Sequence, residues 1–392
     1  MSPLLRHGLE TVFWSAVAGV AYTYVFYPLL LFIVSSAAEL RRGWARMRHA
    51  AGENDAPDDA ALPRVSVVVA AHNERDEMPW LLQALRRLQY HGALEVVIVS
   101  DGSSDGTDAW LQSQHEPWLH AVCLPRQQGK AAALNAGVAQ ARGEVLLLLD
   151  ASTRPQPDTL LRMMPHFTTP DIGVVCGGLR FHHGPGSEHT EGAYWSFECL
   201  LRLMEGRIGA TLTASGALYA VRKCCFPKLA RTAWIEDFLV PMHARRMGFR
   251  VAYEPDAWAW ETAAPSVGGE FRRRARLAVG SFRALRTLLH TPLDAATRWA
   301  FVSHKLLRWC VPFLLLLALA VSIALAGLPL YRGLLGLQLL AYAVAAAGAL
   351  GLARRSRLAQ AWYFFLAMNA AFLWGFLLFV FDHGESAWQQ VR

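Results

Sequence analysis

The chain has 392 residues, of which 54% are hydrophobic and only 18% are charged, and its formal net charge is +7. This apolar balance excludes an ordinary soluble protein, so membrane-spanning segments are expected. The positive charge fits an anionic membrane face or a phosphorylated substrate. The 14 Trp and 19 Phe residues concentrate in the apolar ends of the chain, which favours membrane interfaces over stacking on nucleic acid. No nucleic-acid partner is therefore expected.

The first apolar segment, about Thr11 to Val34, is long enough to span a bilayer. A cleaved signal peptide is the alternative, but the segment is longer than a signal core and the basic stretch RRGWARMRH follows it directly. Three further apolar runs, at about 310–329, 333–353 and 359–381, are each long enough to cross. Basic residues after the first span and in ARRSR (353–357) predict four crossings, with both termini outside and the middle of the chain in the cytosol.

Composition divides the chain into four parts. These are an N-terminal transmembrane helix (1–40), a basic stop-transfer segment and linker (41–63), a globular α/β domain with interfacial helices toward its end (64–292), and an interfacial helix with three transmembrane helices (293–392).

Within the globular part, continuous apolar runs predict strands at Val65–Ala71, Leu94–Ser100, Glu144–Asp150 and Ile172–Gly178. Runs without alternation suit strands that are buried on both faces of a parallel sheet. Helical stretches alternate with them, such as MPWLLQALRRL (78–88) and KAAALNAGVAQA (130–141). The pattern predicts a doubly wound, Rossmann-like nucleotide-binding domain.

Ligands of such domains bind at the carboxyl ends of the strands. Acidic residues follow three of the predicted strands, namely Glu74, Asp101 and Asp150. Each acid alone could equally cap a helix. Three acids at neighbouring strand ends instead predict one common site.

The sequence contains neither GxGxxG after the first strand nor GxxxxGK[ST] anywhere, which excludes a dinucleotide site and a P-loop. The stretch QQGKAAALN still places Lys130 at the start of a helix. A helix N-terminus with a lysine is a reasonable contact for an anion.

Five stretches, in the order VSVVVAAHNE, VVIVSDGSSDGT, GKAAALNAG, LLLLDAS and WIEDF, resemble the inverting family 2 glycosyltransferases with the GT-A fold. More narrowly, the chain is similar to the membrane-integrated synthases of cellulose, chitin, hyaluronan and poly-β-1,6-N-acetylglucosamine. The resemblance covers roughly residues 62–290. It implies a cytosolic α/β GT-A domain joined to an α-helical transmembrane bundle in the inner (plasma) membrane.

The resemblance also implies an activity: transfer of a sugar from a UDP-sugar to a growing β-linked extracellular polysaccharide, with Mg²⁺ or Mn²⁺ on the diphosphate. In the family pattern, Asp237 takes the place of the general base and Asp150 that of the first acid of an Asp-x-Asp metal motif. The residues implied to hold the nucleotide are Ala71, His72, Asn73, Glu74, Asp101, Lys130 and Asp150. Those implied for the diphosphate are Arg273, Arg274 and Arg276, and those in the acceptor region are Trp195, Glu198, Ser215, Gly216 and Glu236.

Several of these roles have structural alternatives. Asp237 could be a first-turn helix residue stabilised by the helix dipole. The arginines around Arg274 could form a basic face toward lipid. Trp195 could be a core residue or could stack on an acceptor sugar.

Two departures from the family pattern leave the function open in part. Ser152 stands where the second metal-binding acid is expected, and one acid can suffice because Mg²⁺ also takes substrate oxygens and water. Leu277 stands where processive members have tryptophan. The alternatives are transfer of one sugar to a polyprenyl-phosphate or glycolipid acceptor, and a non-catalytic UDP-binding membrane scaffold. Because four spans are few for a secretion channel, a homo-oligomer or a secretion partner could complete a pore.

Overall fold

The structure, a computed structural model, describes residues 2–49, 62–182, 190–262, 267–352 and 356–381. Most of the predicted linker (50–61) and the first part of the basic stretch ARRSR (353–355) lie outside these ranges. The described residues form one sheet with its helices and a set of long apolar helices.

Within the described ranges, eight strands form a single sheet in the order β3–β2–β1–β4–β7–β6–β8–β5. They are β1 (Val65–Ala71), β2 (Leu94–Asp101), β3 (Leu119–Leu124), β4 (Val145–Asp150), β5 (Arg154–Pro155), β6 (Ile172–His182), β7 (Leu218–Arg222) and β8 (Arg250–Thr262).

Strands β2, β1 and β4 are parallel neighbours at the centre of the sheet. Val67 of β1 pairs with Val96 on one side and Leu147 on the other, and all three side chains are buried. The continuous apolar runs therefore predicted these strands to within a residue, because strands covered on both faces have no polar alternation. Their carboxyl ends lie side by side at one edge.

One strand that the sequence did not predict, β7, runs against the predicted parallel strands. This strand pairs antiparallel with β4, where Leu148 faces Tyr219, and antiparallel with β6. The chain turns just before β7, with a hydrogen bond from Leu218 N to Ser215 O of 3.0 Å. Because β7 runs backwards from that turn, the turn lies beside the carboxyl end of β4.

Helices cover both faces of the sheet. They are α3 (Met78–Arg86), α4 (Thr107–Gln112), α5 (Lys130–Gln140), α6 (Thr159–Met163), α7 (Thr190–Arg207), α8 (Glu236–Arg246) and α9 (Val267–Leu289), with 3₁₀ turns at Met164–Thr168 and Lys223–Cys225.

The described residues contain four helical segments that are long and apolar enough to cross a membrane: Pro3–Trp44, Ala295–Ala324, Pro329–Ala349 and Arg357–Phe381. The four predicted segments are thus present. The second helix ends at Ala324, earlier than expected, and Pro329 opens the next one. Proline suits the first turn of a helix but cannot continue one, which sets this boundary.

These segments comprise α1 (Pro3–Ala21) and α2 (Tyr27–His49), α10 (Ala295–Ala300) and α11 (Leu307–Ala324), α12 (Pro329–Ala349) and α13 (Arg357–Phe381). A π-helical turn joins the first pair (Tyr22–Phe26) and another joins the second (Phe301–Leu306). The two π turns meet, since Tyr22 Oη lies 2.9 Å from Ser303 Oγ.

Helix α9, predicted as an interfacial helix, packs along α13. Leu378 lies among Ala275 and Val279, and the Phe282 ring contacts three phenylalanines of α13. Gly375 permits the contact, because an added Cβ would overlap the Ala275 carbonyl oxygen. The apolar face of α9 is therefore covered by a membrane-length helix.

Candidate active site

A cavity of about 1610 Å³, called the central cavity below, opens at the carboxyl ends of β1, β2 and β4. The strand-end residues Ala71, His72, Glu74, Asp101 and Asp150 all line it. The prediction that three neighbouring strands deliver carboxylates to one edge is confirmed by this sheet order.

Asn73 is placed differently from its neighbours. It adopts the left-handed conformation, with φ 56°, and its Oδ1 accepts a hydrogen bond of 2.8 Å from Ser104 N. Asn73 is absent from the described lining of the central cavity. It ties the loop after β1 to the loop after β2, which fixes the neighbouring His72 and Glu74.

Asp101 holds the loop that leads into α5. Its two carboxylate oxygens accept hydrogen bonds of 2.7 Å from Gln128 N and Gly129 N. Gly129 has φ +95°, a conformation that favours glycine. The carboxylate at the end of β2 thus fixes the point from which Lys130 extends.

Lys130 lies between two carboxylates. Its Nζ is 2.6 Å from Asp150 Oδ1 and 2.5 Å from Glu236 Oε1. Burial disfavours the charged amine, but the two acids outweigh burial and hold the pKa of Lys130 well above its usual range. Lys130 is therefore a permanent cation at the centre of the site.

The turn before β7 forms the cavity wall next to Lys130. Ser215 and Gly216 both line it. A Cβ on Gly216 would stand 3.6 Å from both Lys130 Nζ and Glu236 Oε1. One residue earlier, Ala214 N donates a hydrogen bond of 2.8 Å to Asp237 O, which joins this turn to the start of α8.

Asp237 lies in the first turn of α8 and lines the same cavity as Asp150. Burial and the adjacent Glu236 raise the pKa of Asp237 to about 6, against the opposing charges of Lys130 and Arg202. A carboxylate with this pKa is ionised near neutral pH and is still basic enough to accept a proton. The place of Asp237 in the first turn of α8 does not exclude a role as general base, because its side chain lines the cavity.

Arg273, Arg274 and Arg276 extend from α9 to the cavity lining. Arg274 Nε contacts the buried Glu270 at 2.8 Å, and Arg273 lies 3.5 Å from the same carboxylate. Leu277, at the position of the expected tryptophan, also lines the cavity and packs against the core that joins the sheet domain to the membrane helices. The arginines therefore face a cavity, and the reading as a purely lipid-facing basic surface is not supported for them.

Glu198 of α7 meets the start of the second membrane segment. Its carboxylate lies 2.7 Å from Arg308 Nη1, 3.3 Å from Lys305 Nζ and 3.2 Å from His304 Nε2. Burial would raise the pKa of Glu198, but these neighbours outweigh burial and hold it well below its usual range. Trp195 belongs to the same helix, and its side chain lies outside the described part of the structure.

The central cavity continues between the membrane-length helices. Arg308 lies over the Tyr24 ring at 5.7 Å, and that ring meets Phe365 edge-on at 5.2 Å. The other lining residues of this membrane half include Lys305, Trp309, Phe364, Met368, Asn369 and Phe372. Sequence reasoning missed this half, although Lys305 and Arg308 beside an apolar run are a signal for it.

The carboxylates fit a divalent metal that also takes substrate oxygens. Within the described residues, no group of three or more His, Cys, Asp or Glu side chains is arranged to hold a metal ion. Asp150 and Glu236 nevertheless converge on one point through their contacts with Lys130. Mg²⁺ is commonly held by one or two carboxylates together with substrate phosphates and water.

Comparison with known families identifies the class of protein to which this chain belongs. The model of "Glycosyl transferase family 2" matches residues 66–219, and that of "Glycosyl transferase family group 2" matches residues 145–378, more than half of the chain. The chain belongs to the family 2 glycosyltransferases. It is therefore an enzyme with the GT-A fold that the motifs predicted, and this membership decides against a non-catalytic scaffold.

Two relatives carry the same name. Poly-β-1,6-N-acetyl-D-glucosamine synthase of Staphylococcus aureus is 27% identical over 271 residues, which cover 67% of this chain and 65% of that protein. The synthase of Staphylococcus epidermidis is 29% identical over 231 residues, covering 56% of this chain and 55% of that protein. The chain thus spans somewhat less than two thirds of the length of these synthases.

Among solved structures, the mannosyltransferase PcManGT from Pyrobaculum calidifontis, in complex with GDP-Man and Mn²⁺, has a TM-score of 0.68 to this glycosyltransferase at 24% identity. The superposition covers 96% of this chain and 100% of that one. This likeness shows the fold, including the membrane-length helices. The four segments that are long and apolar enough to cross a membrane, together with the homology to these synthases, indicate that this glycosyltransferase is a membrane protein.

Proposed function

We propose that this glycosyltransferase transfers a sugar from a UDP-sugar, with inversion, to a hydroxyl of a growing β-linked extracellular polysaccharide. One observation carries the proposal. The strand-end acids, Lys130 and Asp237 line a single cavity that continues among the membrane-length helices. One end suits a nucleotide diphosphate and the other suits an acceptor that leaves through the membrane.

Donor binding is assigned to the strand-end rim. Ala71, His72 and Glu74, with Asp101, hold the uracil and ribose, as the family resemblance implies, while Asn73 fixes the loop that carries His72 and Glu74. The diphosphate lies toward Lys130 and the arginines of α9, whose charge offsets the negative charge that develops on departing UDP. A bound Mg²⁺ or Mn²⁺ supplies further charge stabilisation on the diphosphate, and Asp150 and Glu236 are the side chains that would hold it.

The chemical step needs one base. Asp237 takes the proton of the acceptor hydroxyl while the hydroxyl oxygen forms a bond to the anomeric carbon. The bond from that carbon to the phosphate oxygen breaks, and UDP leaves with the electron pair. A single displacement inverts the configuration and requires no covalent sugar–enzyme intermediate, in contrast to retaining hydrolases.

The acceptor is assigned to the region of Glu198, Ser215 and Gly216 and to the membrane half of the cavity. The half-buried Phe365 ring lines this half of the cavity and offers a face on which a sugar ring packs. Trp195 remains a candidate of the same region.

A second acceptor class is favoured by the same surface. Lys305 and Arg308, both paired with Glu198, lie in the membrane half of the cavity beside apolar groups such as Phe364 and Met368. An acceptor with a phosphate head and an apolar tail, such as a polyprenyl phosphate or a glycolipid, matches this pairing of charge and hydrocarbon. The two classes differ in product, because only a polymerase gives a ladder of lengths.

The orientation of the chain in the membrane is inferred from the basic residues that flank its apolar segments. We infer that the protein lies in the inner (plasma) membrane with its sheet domain in the cytosol, where UDP-sugars are present, and with both termini outside. A homo-oligomer or a secretion partner that completes the exit path is part of this proposal.

The test is turnover by the purified full chain with UDP-glucose, UDP-galactose, UDP-N-acetylglucosamine and UDP-glucuronate, each with Mg²⁺ or Mn²⁺. Released UDP and product length are measured. UDP-N-acetylglucosamine is tried first because of the names of the relatives. If no donor releases UDP with either acceptor class supplied, the proposal is wrong.

Asp237→Asn tests the base. We expect turnover to fall by about 10²–10⁴-fold, the usual contribution of a general base, while UDP binding is retained. Asp256→Asn removes an exposed carboxylate on β8 and is the matched control. Normal turnover by Asp237→Asn would show that another group takes the proton.

A further inference from the structure

Lys130 and two acids form the most tightly connected cluster at the rim of the central cavity. The ammonium of Lys130 touches one oxygen of Asp150 and one of Glu236, at 2.6 Å and 2.5 Å. Both oxygens contact the same nitrogen, so the distance between the two oxygens cannot exceed the sum of the two contact distances. A single cation therefore satisfies both carboxylates at this point.

The backbone at Lys130 is fixed, whereas its side chain has room to move. Asp101 anchors the two preceding backbone amides, so the start of α5 does not shift easily. The Lys130 side chain is 36% exposed and lines the central cavity. The long flexible stem of lysine can therefore swing while its anchor stays in place.

The strand that carries Asp150 supplies only one acid to this point. Ser152, two residues later, also lines the cavity but offers a neutral hydroxyl. Glu236 is 7% exposed and brings the second carboxylate from α8. A divalent cation bound here would take the place of the ammonium, because two cations cannot share one point between the same oxygens.

We propose that Lys130 is an exchangeable counter-cation of an Asp150–Glu236 metal site, in which Glu236 replaces the second acid that Ser152 does not provide. In the free enzyme the ammonium fills the site and opposes binding of metal alone. When the donor arrives with its metal, the ammonium turns to the diphosphate, which offers it new oxygens. The inference rests on the proposed function, because it makes donor binding the event that moves Lys130.

This exchange has a measurable consequence. Metal and nucleotide bind as one unit, and metal without nucleotide binds weakly. Without the Lys130 charge, two acids are left facing each other across one point, and such a pair attracts a divalent cation strongly. In this role Glu236 is a metal ligand and does not belong to the acceptor region to which the family resemblance assigned it.

The experiment measures Mn²⁺ binding by electron paramagnetic resonance, with the full chain in nanodiscs and with no nucleotide present. We expect Lys130→Met to bind Mn²⁺ about tenfold or more tightly than the wild-type enzyme, since an opposite charge at contact shifts a carboxylate by about 1–3 pKa units. Lys228→Met removes an exposed lysine of the same domain and should leave the affinity unchanged. The double variant Lys130→Met/Glu236→Gln should lose the gain, because it lacks the second ligand.

Each outcome bears on the inference. Equal Mn²⁺ affinity of Lys130→Met and wild type would overturn the counter-cation role. A gain that survives in the double variant would overturn the assignment of Glu236. If Lys130→Met does not fold, Lys130→Gln is measured, because it removes the charge and keeps a hydrogen-bonding end.

The two proposals fail separately. If the wild-type enzyme turns over UDP-sugars but Lys130→Met binds Mn²⁺ as weakly as wild type, the exchange is wrong and the function stands. If Lys130→Met gains affinity for Mn²⁺ but no UDP-sugar is turned over and UDP does not promote Mn²⁺ binding, the cation site stands and the UDP-sugar assignment fails.

Discussion

The contact between α9 and α13 gives the sharpest prediction, because a single methyl group tests it. In Gly375→Ala the new Cβ would overlap the Ala275 carbonyl oxygen and stand 2.6 Å from Ala278 Cβ, where ordinary contact begins at 3.4 Å. Two helix backbones cannot yield as a flexible side chain does, so the helices must separate by about 1 Å, at an overpacking penalty of about 1–3 kcal/mol.

Moving α9 away from α13 should also change the donor site. Helix α9 carries Arg273, Arg274 and Arg276 to the central cavity, so its displacement moves the charges proposed for the diphosphate. We expect the midpoint of thermal unfolding to fall and the KM for the donor to rise several-fold. Both are measured on the full chain in detergent.

Gly336→Ala is the matched control. Gly336 lies in α12, another membrane-length helix, and an added Cβ meets nothing within 4 Å. Alanine favours a helix interior by about 1 kcal/mol over glycine, so stability should hold or rise, with an unchanged KM. If Gly375→Ala behaves like Gly336→Ala in both measurements, the position of the arginines does not depend on this contact.

Three further predictions concern stability and metal binding. Burial raises the pKa of Glu95, but hydrogen bonds from Ser66 and from Arg142 N outweigh it and lower the pKa. The contribution of Glu95 is thus present above its unfolded pKa of about 4.3 and is lost as pH falls through the lower folded value. Glu95→Gln should lower stability at pH 7 by about 2 kcal/mol in chemical denaturation, with less difference from wild type at acid pH. Glu116→Gln, which removes a partly exposed acid that is ion-paired with Arg86, should change stability little. Tyr27→Phe removes a hydrogen bond of 2.8 Å to a buried glutamate and should destabilise the protein by about 1.5–3 kcal/mol in the same assay, and an unchanged midpoint would show that the bond contributes nothing. Ser152→Asp restores the two-acid motif and should tighten Mn²⁺ binding in the presence of UDP by about tenfold, as judged by calorimetry. Weaker binding would mean that the metal does not approach this residue.

Local patterns predicted much of the domain. The apolar runs of β1, β2 and β4, the start of α5 at Lys130 and the four membrane-length segments are all present where the sequence indicates them. Such patterns succeed because a strand buried on both faces or a helix in lipid must be apolar along its length, whatever its neighbours are. The strand-end acids then follow from the direction of the chain.

The sequence by itself therefore determined the class of fold, the number of membrane-length helices and the edge of the sheet where Asp101 and Asp150 lie. Only the tertiary structure decided that β7 runs antiparallel, that Glu236 reaches the Lys130 ammonium, and that Lys305 and Arg308 share a cavity with both. These contacts join segments far apart in the chain, and their geometry depends on turns and on helix packing. No local periodicity encodes such distances, because a side chain's partner is chosen by the fold that surrounds it and not by its own neighbours in sequence.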